Sequence, residues 1–504
     1  MHLFMALPLL LLVSFLAILA LNIFIVRCSH WNAAAHCGRP LRLPPGSSGW
    51  PLVGETVSFM RPHSSASLGD FIDRRIAKYG KIFRTSLLGK ATVVSADAEF
   101  NRWVLQAEGQ GLFAGSCPTS IAEIMGRQSM LALVGDAHRE MRSIAVAFLG
   151  GGTSGGLRRR SRFFATVERQ AAKVLDSWND RVCHGSVGAA ASFSAHKEAK
   201  NFTFSVMVKH LISMEEETAE AKQLSKEYAT FMRGMASLPL NLPGMAHRKA
   251  RKSRAKILSL IGQKLDERIK QKLQEKKLLK EAEKADKAEA EKAAEEEEEG
   301  GGDLLDLVLK HQNLTREQIL DLVLSMLFAG HETSSAAIAL AIYFLQSSPK
   351  AVQQLREEHT RIAKLRIVDE VIAETLRLGN IVKFLHRRAI KNVQYKGYDI
   401  PCGWELVPII SAEHLDPSIY DDPQSYNPWR WQTLPVKSGN SLMSFGCGPR
   451  LCPGAEFGKL EMAVFLHHLV QRFHWELAEH DFPVSLPFLG FPKGLPIKIR
   501  PIGP

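Results

Sequence analysis

The chain has 504 residues, 45% of them hydrophobic, which is enough for one large core or about two to three average domains. Its 64 Lys and Arg outnumber its 52 Asp and Glu, and the net charge of +12 suits an anionic lipid surface or an acidic protein partner. No zinc-ligand spacing or other nucleic-acid motif accompanies this charge, so we expect no nucleic-acid partner. The seven cysteines are widely spread, which excludes a small disulfide-stapled domain and favours a reducing compartment.

The N-terminus begins with an uncharged apolar stretch. Residues 3–26 contain no Asp, Glu, Lys or Arg, and about 24 residues can span a hydrocarbon core of roughly 30 Å as one helix. A cleaved signal peptide would have a shorter apolar core that positive charge precedes. Here positive charge follows, from Arg27 onward, which places the rest of the chain in the cytosol. We therefore expect a transmembrane anchor at 1–27 and a basic, proline-rich linker at 28–51.

A short β-rich region follows the linker. Residues 82–87 and 91–95 are rich in β-branched and apolar side chains and flank a Leu-Gly-Lys turn, so they predict two paired strands. Further along, His138 and Arg142 share one face of a helical pattern, which by itself indicates a solvated basic surface.

A charged segment, residues 264–302, is dominated by Lys, Glu and Ala. It lacks an apolar stripe with which to join a core. We expect a solvated, partly disordered insertion to which we assign no function.

A long apolar helix is predicted from a capping box at Thr315 and Gln318 to about residue 346. About 31 residues at 1.5 Å each give roughly 47 Å, enough to cross a domain. Its middle, residues 329–334, is Ala-Gly-His-Glu-Thr-Ser. Polar side chains there are costly unless they are paired or functional. A threonine hydroxyl that bonds the preceding turn is an equally good interpretation on this evidence alone.

A glycine-rich loop carries a cysteine just before a predicted helix. Residues 445–454 are Phe-Gly-Cys-Gly-Pro-Arg-Leu-Cys-Pro-Gly, and a helical pattern follows from 455 to about 472. The helix N-terminus favours the thiolate of Cys452, which is a good axial ligand for haem iron. The three glycines allow a tight turn, and Arg450 can donate to a haem propionate. An isolated cysteine is more often a small buried hydrophobe, but the ten-residue pattern favours the ligand.

The pattern F-G-x-G-x-R-x-C-x-G resembles the haem-binding signature of the cytochrome P-450 superfamily. The resemblance implies a mainly α fold with a smaller β-rich region behind a single N-terminal transmembrane helix, with residues 52–504 as a haem-thiolate monooxygenase domain. It implies haem b, with Cys452 as the iron ligand and Phe445 beside it, and electrons from NADPH through a flavin reductase. Cys447 lacks the flanks of the ligand, and we interpret it as a second thiol near the site.

The superfamily's central helix carries A/G-G-x-D/E-T, which matches residues 329–333. By this resemblance Gly330 leaves room for dioxygen, and Glu332 and Thr333 order water and deliver protons. Ala329 would face the substrate.

The resemblance also implies an inward-facing ion-pair triad. Glu374 and Arg377, at i and i+3, would on their own be an exposed pair contributing about 0.2–0.5 kcal/mol. In the superfamily this E-x-x-R pairs with a downstream arginine, here Arg430, and braces the cysteine loop without doing chemistry.

Further residues are implied by their position around the haem. Arg387, His138 and Arg142 would join Arg450 as propionate donors, although a tryptophan is usual where His138 stands. Phe384 and Leu385 would face the substrate.

Local similarity extends over residues 41–504 and resembles plant steroid 22-alpha-hydroxylases of brassinosteroid biosynthesis. It is carried by residues 43–56, 238–244, 327–335, 374–380, 395–401 and 490–497. The resemblance implies a campesterol-type phytosterol hydroxylated at side-chain carbon 22 with dioxygen, and an NADPH-cytochrome reductase as partner. It also implies a single-pass protein of the endoplasmic reticulum membrane with a cytosolic catalytic domain.

Two alternatives stay open. A hydroxylase of another steroid or terpenoid position is one, to be decided by residues such as 121–130, Phe384 and Phe488. The other is an inactive haem or sterol binder, because relatives carry a longer segment before Glu374, where residues 361–369 must connect two helices alone.

Overall fold

The computed structural model describes residues 14, 41–50, 53–150, 154–184, 192–235, 237, 241–282, 302–311, 313–361, 366–433, 442–486 and 488–503. The anchor predicted at 1–27 lies outside the described residues except for Ser14, and so does the linker before residue 41.

The described fold is mainly α with a smaller β-rich part, as predicted. Its α-helices are Thr56–Phe59, Asp70–Tyr79, Ala98–Gln106, Thr119–Met125, Gly135–Leu149, Ser154–His184, Ala195–Ile212, Ala219–Met235, Ala246–Ala282, Leu304–Lys310, Arg316–Gln346, Pro349–Arg361, Arg366–Gly379, Ser411–His414, Arg430–Thr433 and Ala455–Arg472. Two 3-10 helices, Ala107–Gln110 and Gly448–Arg450, complete the helical part.

The strands of the described part of the chain form four small sheets. They are His63–Ser64, Ile82–Leu87, Lys90–Ser95, Phe113–Gly115, Phe193–Ser194, Arg387–Ala389, Val393–Tyr395, Tyr398–Ile400, Glu405–Pro408, Phe473–Leu477, Val484–Leu486, Phe488–Gly490 and Pro496–Pro501. The predicted pair is confirmed, because Ile82–Leu87 and Lys90–Ser95 are antiparallel neighbours with Thr85 opposite Thr92. This hairpin continues through Glu405–Pro408 and Arg387–Ala389 to Phe113–Gly115, which makes a five-stranded sheet.

The long apolar helix is confirmed as Arg316–Gln346, capped by Thr315 and Gln318 as predicted, and we call it the central helix. Its first part packs in one apolar cluster, from Ile319 to Leu327, and its last part in another, from Ala336 to Leu345. It is long and apolar enough to cross a membrane, but 72% of its most apolar window is buried, which is typical of a core helix. The polar residues 329–334 therefore lie where the two clusters meet.

The charged segment begins inside the fold. The Ala246–Ala282 helix continues into it, and Leu265 is 1% exposed. Arg268 forms an ion pair of 2.8 Å with Asp303, at the start of the next helix. The expectation that this segment lacks core contacts is therefore wrong for its first turns, where Leu265 and Ile269 pack on the core. Residues 283–301 lie outside the described residues.

The short connection before Glu374 joins two helices that pack together. Leu355 on one and Val371 on the other are both fully buried in the same cluster. The backbone N–H of Ile367 donates to the Glu358 carboxylate at 3.0 Å and 3.1 Å. The Arg366–Gly379 helix is thus seated in the core despite the short connection, whose residues 362–365 lie outside the described part.

Candidate active site

The cysteine loop, residues 445–454, is a compact turn. The Cys452 N–H donates to the Phe445 carbonyl at 3.0 Å. Gly446 and Gly448 have φ of 73° and 71°, a region that favours glycine. A Cβ on Gly448 would also collide with the Leu105 carbonyl oxygen. Gly454 lies in the turn that leads into the next helix and is its N-cap, but its φ of −96° is one that any residue adopts.

The Cys452 side chain lines an apolar cavity between the loop and the central helix, which we call the thiol cavity. Its walls include Thr333, Ala337, Ile381, Val382, Leu385, Ile410, Met443, Phe445, Arg450, Cys452 and Met462. The structure thus brings together Thr333 and Cys452, residues 119 positions apart in the chain, as the sequence predicted. Ala329, one turn before Thr333, is exposed although it belongs to a largely buried helix.

Burial and the helix N-terminus act in opposite directions on the Cys452 thiol. Burial raises its pKa, and the Gly454 N–H and the Arg142 charge lower it but only partly offset the burial. A helix terminus contributes about 0.3–1 kcal/mol, whereas desolvation can shift a pKa by several units. The helix N-terminus therefore favours the thiolate, as predicted, but burial outweighs it. A metal ion bound to the sulfur would displace the thiol proton.

The four predicted propionate donors lie near one another, since the charges of Arg450, Arg142 and Arg387 all act on His138, and Arg450 lines the thiol cavity. Arg450 donates from Nη2 to the Leu133 carbonyl at 2.8 Å, and Arg142 donates to the Leu451 carbonyl at 2.6 Å. The Arg387 side chain is 5% exposed. Burial and the charge of Arg450 lower the pKa of His138 to about 4, so this imidazole is neutral at pH 7.

These residues fit a haem group. The three guanidinium groups outnumber the one carboxylate among them, Glu108, so the cluster holds excess positive charge. Two propionates would neutralise that excess with charge-assisted hydrogen bonds. The thiol and the apolar walls suit the iron and the macrocycle. Sequence reasoning missed Glu108, which belongs to none of the motifs.

The oxygen-activation residues of the central helix face different ways. The Thr333 hydroxyl donates to the Ala329 carbonyl at 2.6 Å, as in the alternative interpretation, but it also lines the thiol cavity. Glu332 instead lines a second cavity and pairs with Lys200 at 3.0 Å. It is not among the walls of the thiol cavity, because adjacent helical residues lie about 100° apart.

Gly330 has a different neighbour from the one predicted. A Cβ on Gly330 would collide with the Met207 side chain of the Ala195–Ile212 helix. The glycine therefore permits close packing of two helices, and the expectation that it opens space for dioxygen is wrong for this face of the helix.

The predicted triad of Glu374, Arg377 and Arg430 is present and buried. Arg377 donates to both carboxylate oxygens of Glu374 at 2.8 Å, and Arg430 donates from Nε to the same carboxylate at 3.0 Å. The indole N–H of Trp431 adds a fourth donor at 3.1 Å. The Asn427 backbone N–H adds a fifth at 2.9 Å. With Arg377 and Glu374 at 0% exposure, this carboxylate is satisfied by five hydrogen bonds, as a buried charge requires.

His414 connects the triad to the cysteine loop and was not predicted. Arg377 donates to the His414 carbonyl at 2.7 Å. The His414 ring accepts at Nε2 from the Met443 N–H at 3.1 Å, and its Nδ1 lies 2.8 Å from the Asn380 side-chain oxygen. Burial, with the Arg377 charge, lowers the pKa of His414 to about 3, so the ring is neutral and Nδ1 is the donor. Through His414, the triad thereby fixes the backbone of Met443, two residues before Phe445 of the cysteine loop.

The predicted substrate residues divide between two cavities. Leu385 lines the thiol cavity, but Phe384 lines another one beside Phe59, with ring centroids 5.0 Å apart. Successive residues of an extended chain point to opposite sides, which explains the division. The expectation that Phe384 faces the substrate beside Leu385 is therefore wrong. The ring centroids of Phe488 and of Phe328, on the central helix, are 6.1 Å apart.

Comparison with known proteins places this geometry in a family. The sequence model of the cytochrome P-450 family matches residues 44–497. A cholesterol 22-hydroxylase of Paris polyphylla is 59% identical over 480 residues, which are 92% of this chain and 92% of the relative. A steroid (22S)-hydroxylase of Oryza sativa subsp. japonica is 49% identical over 483 residues, or 92% of this chain and 88% of the relative.

A solved structure has the same fold. The retinoic acid-bound cyanobacterial CYP120A1 is 26% identical and superposes with a TM-score of 0.74, covering 92% of this chain and 100% of that one. The chain therefore belongs to the cytochrome P-450 family.

Proposed function

We propose that this monooxygenase hydroxylates the side chain of a campesterol-type phytosterol at carbon 22 in brassinosteroid biosynthesis. The observation that carries the proposal is the 59% identity, along almost the whole chain, to a cholesterol 22-hydroxylase. The apolar walls of the thiol cavity suit a sterol.

The proposed cofactor is haem b, and residues around the thiol cavity would hold it. Cys452 would be the axial ligand, and Arg450, Arg387, Arg142 and His138 would hold the propionates, as described above. The bound haem would supply the oxygen activation that an unactivated C–H bond needs. One oxygen atom enters the substrate and the other leaves as water, so each turnover consumes two electrons and one proton from NADPH and a second proton from the solvent.

Thr333 and Glu332 divide the proton handling between two cavities. The Thr333 hydroxyl donates to its own helix, so its oxygen remains an acceptor that can order water in the thiol cavity. Glu332 lies on the adjacent face, where the Lys200 ammonium holds it. We infer that Glu332 must leave Lys200 before it can pass a proton toward Thr333.

We further propose that residues 1–27 anchor the protein in the endoplasmic reticulum membrane with the catalytic domain in the cytosol. The uncharged stretch 3–26 and the positive charge that follows it support this arrangement. An NADPH-cytochrome reductase would dock on the basic surface, for which the net charge of +12 is suited.

Product analysis tests the substrate and the position. Microsomes that contain this protein and a plant reductase are incubated with campesterol and NADPH. The products are separated by chromatography and identified by mass spectrometry. A single 22-hydroxylated product that depends on NADPH is expected. Hydroxylation at another carbon would favour the alternative regiochemistry and overturn the C-22 assignment.

A further inference from the structure

Glu108 lies between Arg450 and Arg387, on the Ala107–Gln110 3-10 helix. Its side chain is 13% exposed. The Gly115 N–H donates to Oε1 at 3.1 Å, and Gly115 is opposite Arg387 in the adjoining strand pair. The carboxylate is therefore fixed by the same backbone that carries one of its arginine partners.

Glu108 contacts two guanidinium groups from different parts of the chain. Arg450 donates from Nε to Oε1 at 2.6 Å. Arg387 places its Nε 3.2 Å from Oε2. Since these arginines belong to the cysteine loop and to the five-stranded sheet, Glu108 is the bridge that sets their separation.

The contacts also set which atoms of the arginines stay available. Glu108 faces Nε of both guanidinium groups, while Arg450 Nη2 and Arg387 Nη1 donate to the carbonyls of Leu133 and His386. The contact of Arg450 Nε with Glu108 is a hydrogen bond, whereas Arg387 Nε and Glu108 Oε2 form an ion pair without hydrogen-bond geometry. Among the described residues, the outer nitrogens Arg450 Nη1 and Arg387 Nη2 make no hydrogen bond. Those are the atoms that remain for carboxylates in the cavity.

We propose that Glu108 is a positioning residue for haem: it holds Arg387 and Arg450 by their Nε atoms so that their outer nitrogens meet the propionates. This inference rests on the haem assignment of the proposed function. Without the carboxylate, two buried like charges would repel and turn apart. Its negative charge near the haem edge would also disfavour the reduced iron.

The test compares Glu108→Gln with wild type and with a matched control. Gln keeps the Gly115 hydrogen bond and the volume but removes the charge. The control is Glu405→Gln, because Glu405 pairs at 2.7 Å with Arg388, next to Arg387 on the same strand but on the opposite face of the sheet. Full-length holoproteins are assayed for the rate of haem loss to apomyoglobin, for the iron midpoint potential and for melting temperature.

We expect Glu108→Gln to lose haem faster by on the order of tenfold and to have a more positive midpoint potential. Glu405→Gln should lower the melting temperature but leave the rate of haem loss and the midpoint potential as in wild type. A Glu108→Gln protein with a lower melting temperature but wild-type haem loss and potential would overturn the positioning role. Slower haem loss would also overturn it, because Glu108 would then compete with the propionates.

Failure of the Glu108 proposal can be distinguished from failure of the proposed sterol hydroxylation. Wild-type protein with a thiolate-haem spectrum but no sterol product would contradict the sterol 22-hydroxylase and leave the Glu108 result standing. Wild-type protein that takes up no haem would overturn both.

Discussion

His414 links Arg377 of the buried triad to Met443, just before the cysteine loop, and removing this link is the most informative test. His414→Phe keeps an aromatic ring of similar size but leaves the Met443 N–H and the Asn380 oxygen without their partner, both in residues that are 2% exposed. Each unsatisfied buried group costs about 1–3 kcal/mol, so the free energy of unfolding should fall by about 2–6 kcal/mol. That is a large part of the roughly 5–15 kcal/mol that a typical domain has.

The same change should loosen the cysteine loop, because Met443 lies two residues before Phe445. We expect less haem per protein, and part of the bound haem with a spectrum that lacks the thiolate band. The assays are denaturant unfolding and the carbon monoxide difference spectrum. His311→Phe, at an exposed position after the Leu304–Lys310 helix, is the control. A His414→Phe protein with an intact thiolate band and stability within about 0.5 kcal/mol of wild type would refute the bracing argument.

Three further predictions concern single positions. Gly448→Ala should lose most of its haem in an absorbance titration, because φ is 71° and the new Cβ would meet the Leu105 carbonyl; wild-type loading would contradict this. Burial raises the pKa of Glu461 to about 8, so the folded protein keeps a proton that the unfolded chain releases, and stability falls as pH rises from about 4.5 toward 8. Glu461→Gln should therefore raise the melting temperature more at pH 8 than at pH 5, and an equal rise at both would refute the assignment. Leu385→Trp should abolish the sterol-induced Soret shift while Phe384→Trp keeps it, since only Leu385 lines the thiol cavity; the reverse result would contradict that division.

Local patterns predicted the elements well where one physical signal dominated. The capping box and the long, mainly apolar run predicted the observed bounds of the central helix, and two β-rich runs around a glycine turn predicted the first hairpin. The meeting of Thr333 and Cys452 came from the family resemblance, because no local pattern links residues so far apart. The triad was predicted in the same way, and Glu374 accepts hydrogen bonds from Arg377 and Arg430.

The direction and charge state of side chains were harder to predict. Glu332 adjoins Thr333 of the thiol cavity in sequence but faces Lys200, since the helix turns by about 100° per residue. Gly330, three residues before Thr333, faces Met207. The charge of Cys452 depends on desolvation, which only the folded cavity reveals. Glu108 and His414 act through tertiary contacts, and neither has a sequence signal of its own.

The carbon monoxide difference spectrum of the reduced protein in microsomes tests the account most directly. Every role assigned to the thiol cavity depends on Cys452 being the iron ligand. The account predicts a Soret band at the thiolate-haem position, which disappears in Cys452→Ala and persists in Cys447→Ala. No band in the wild-type protein, or a band typical of a neutral thiol or histidine ligand, would contradict the active monooxygenase and favour an inactive relative with a shortened segment before Glu374.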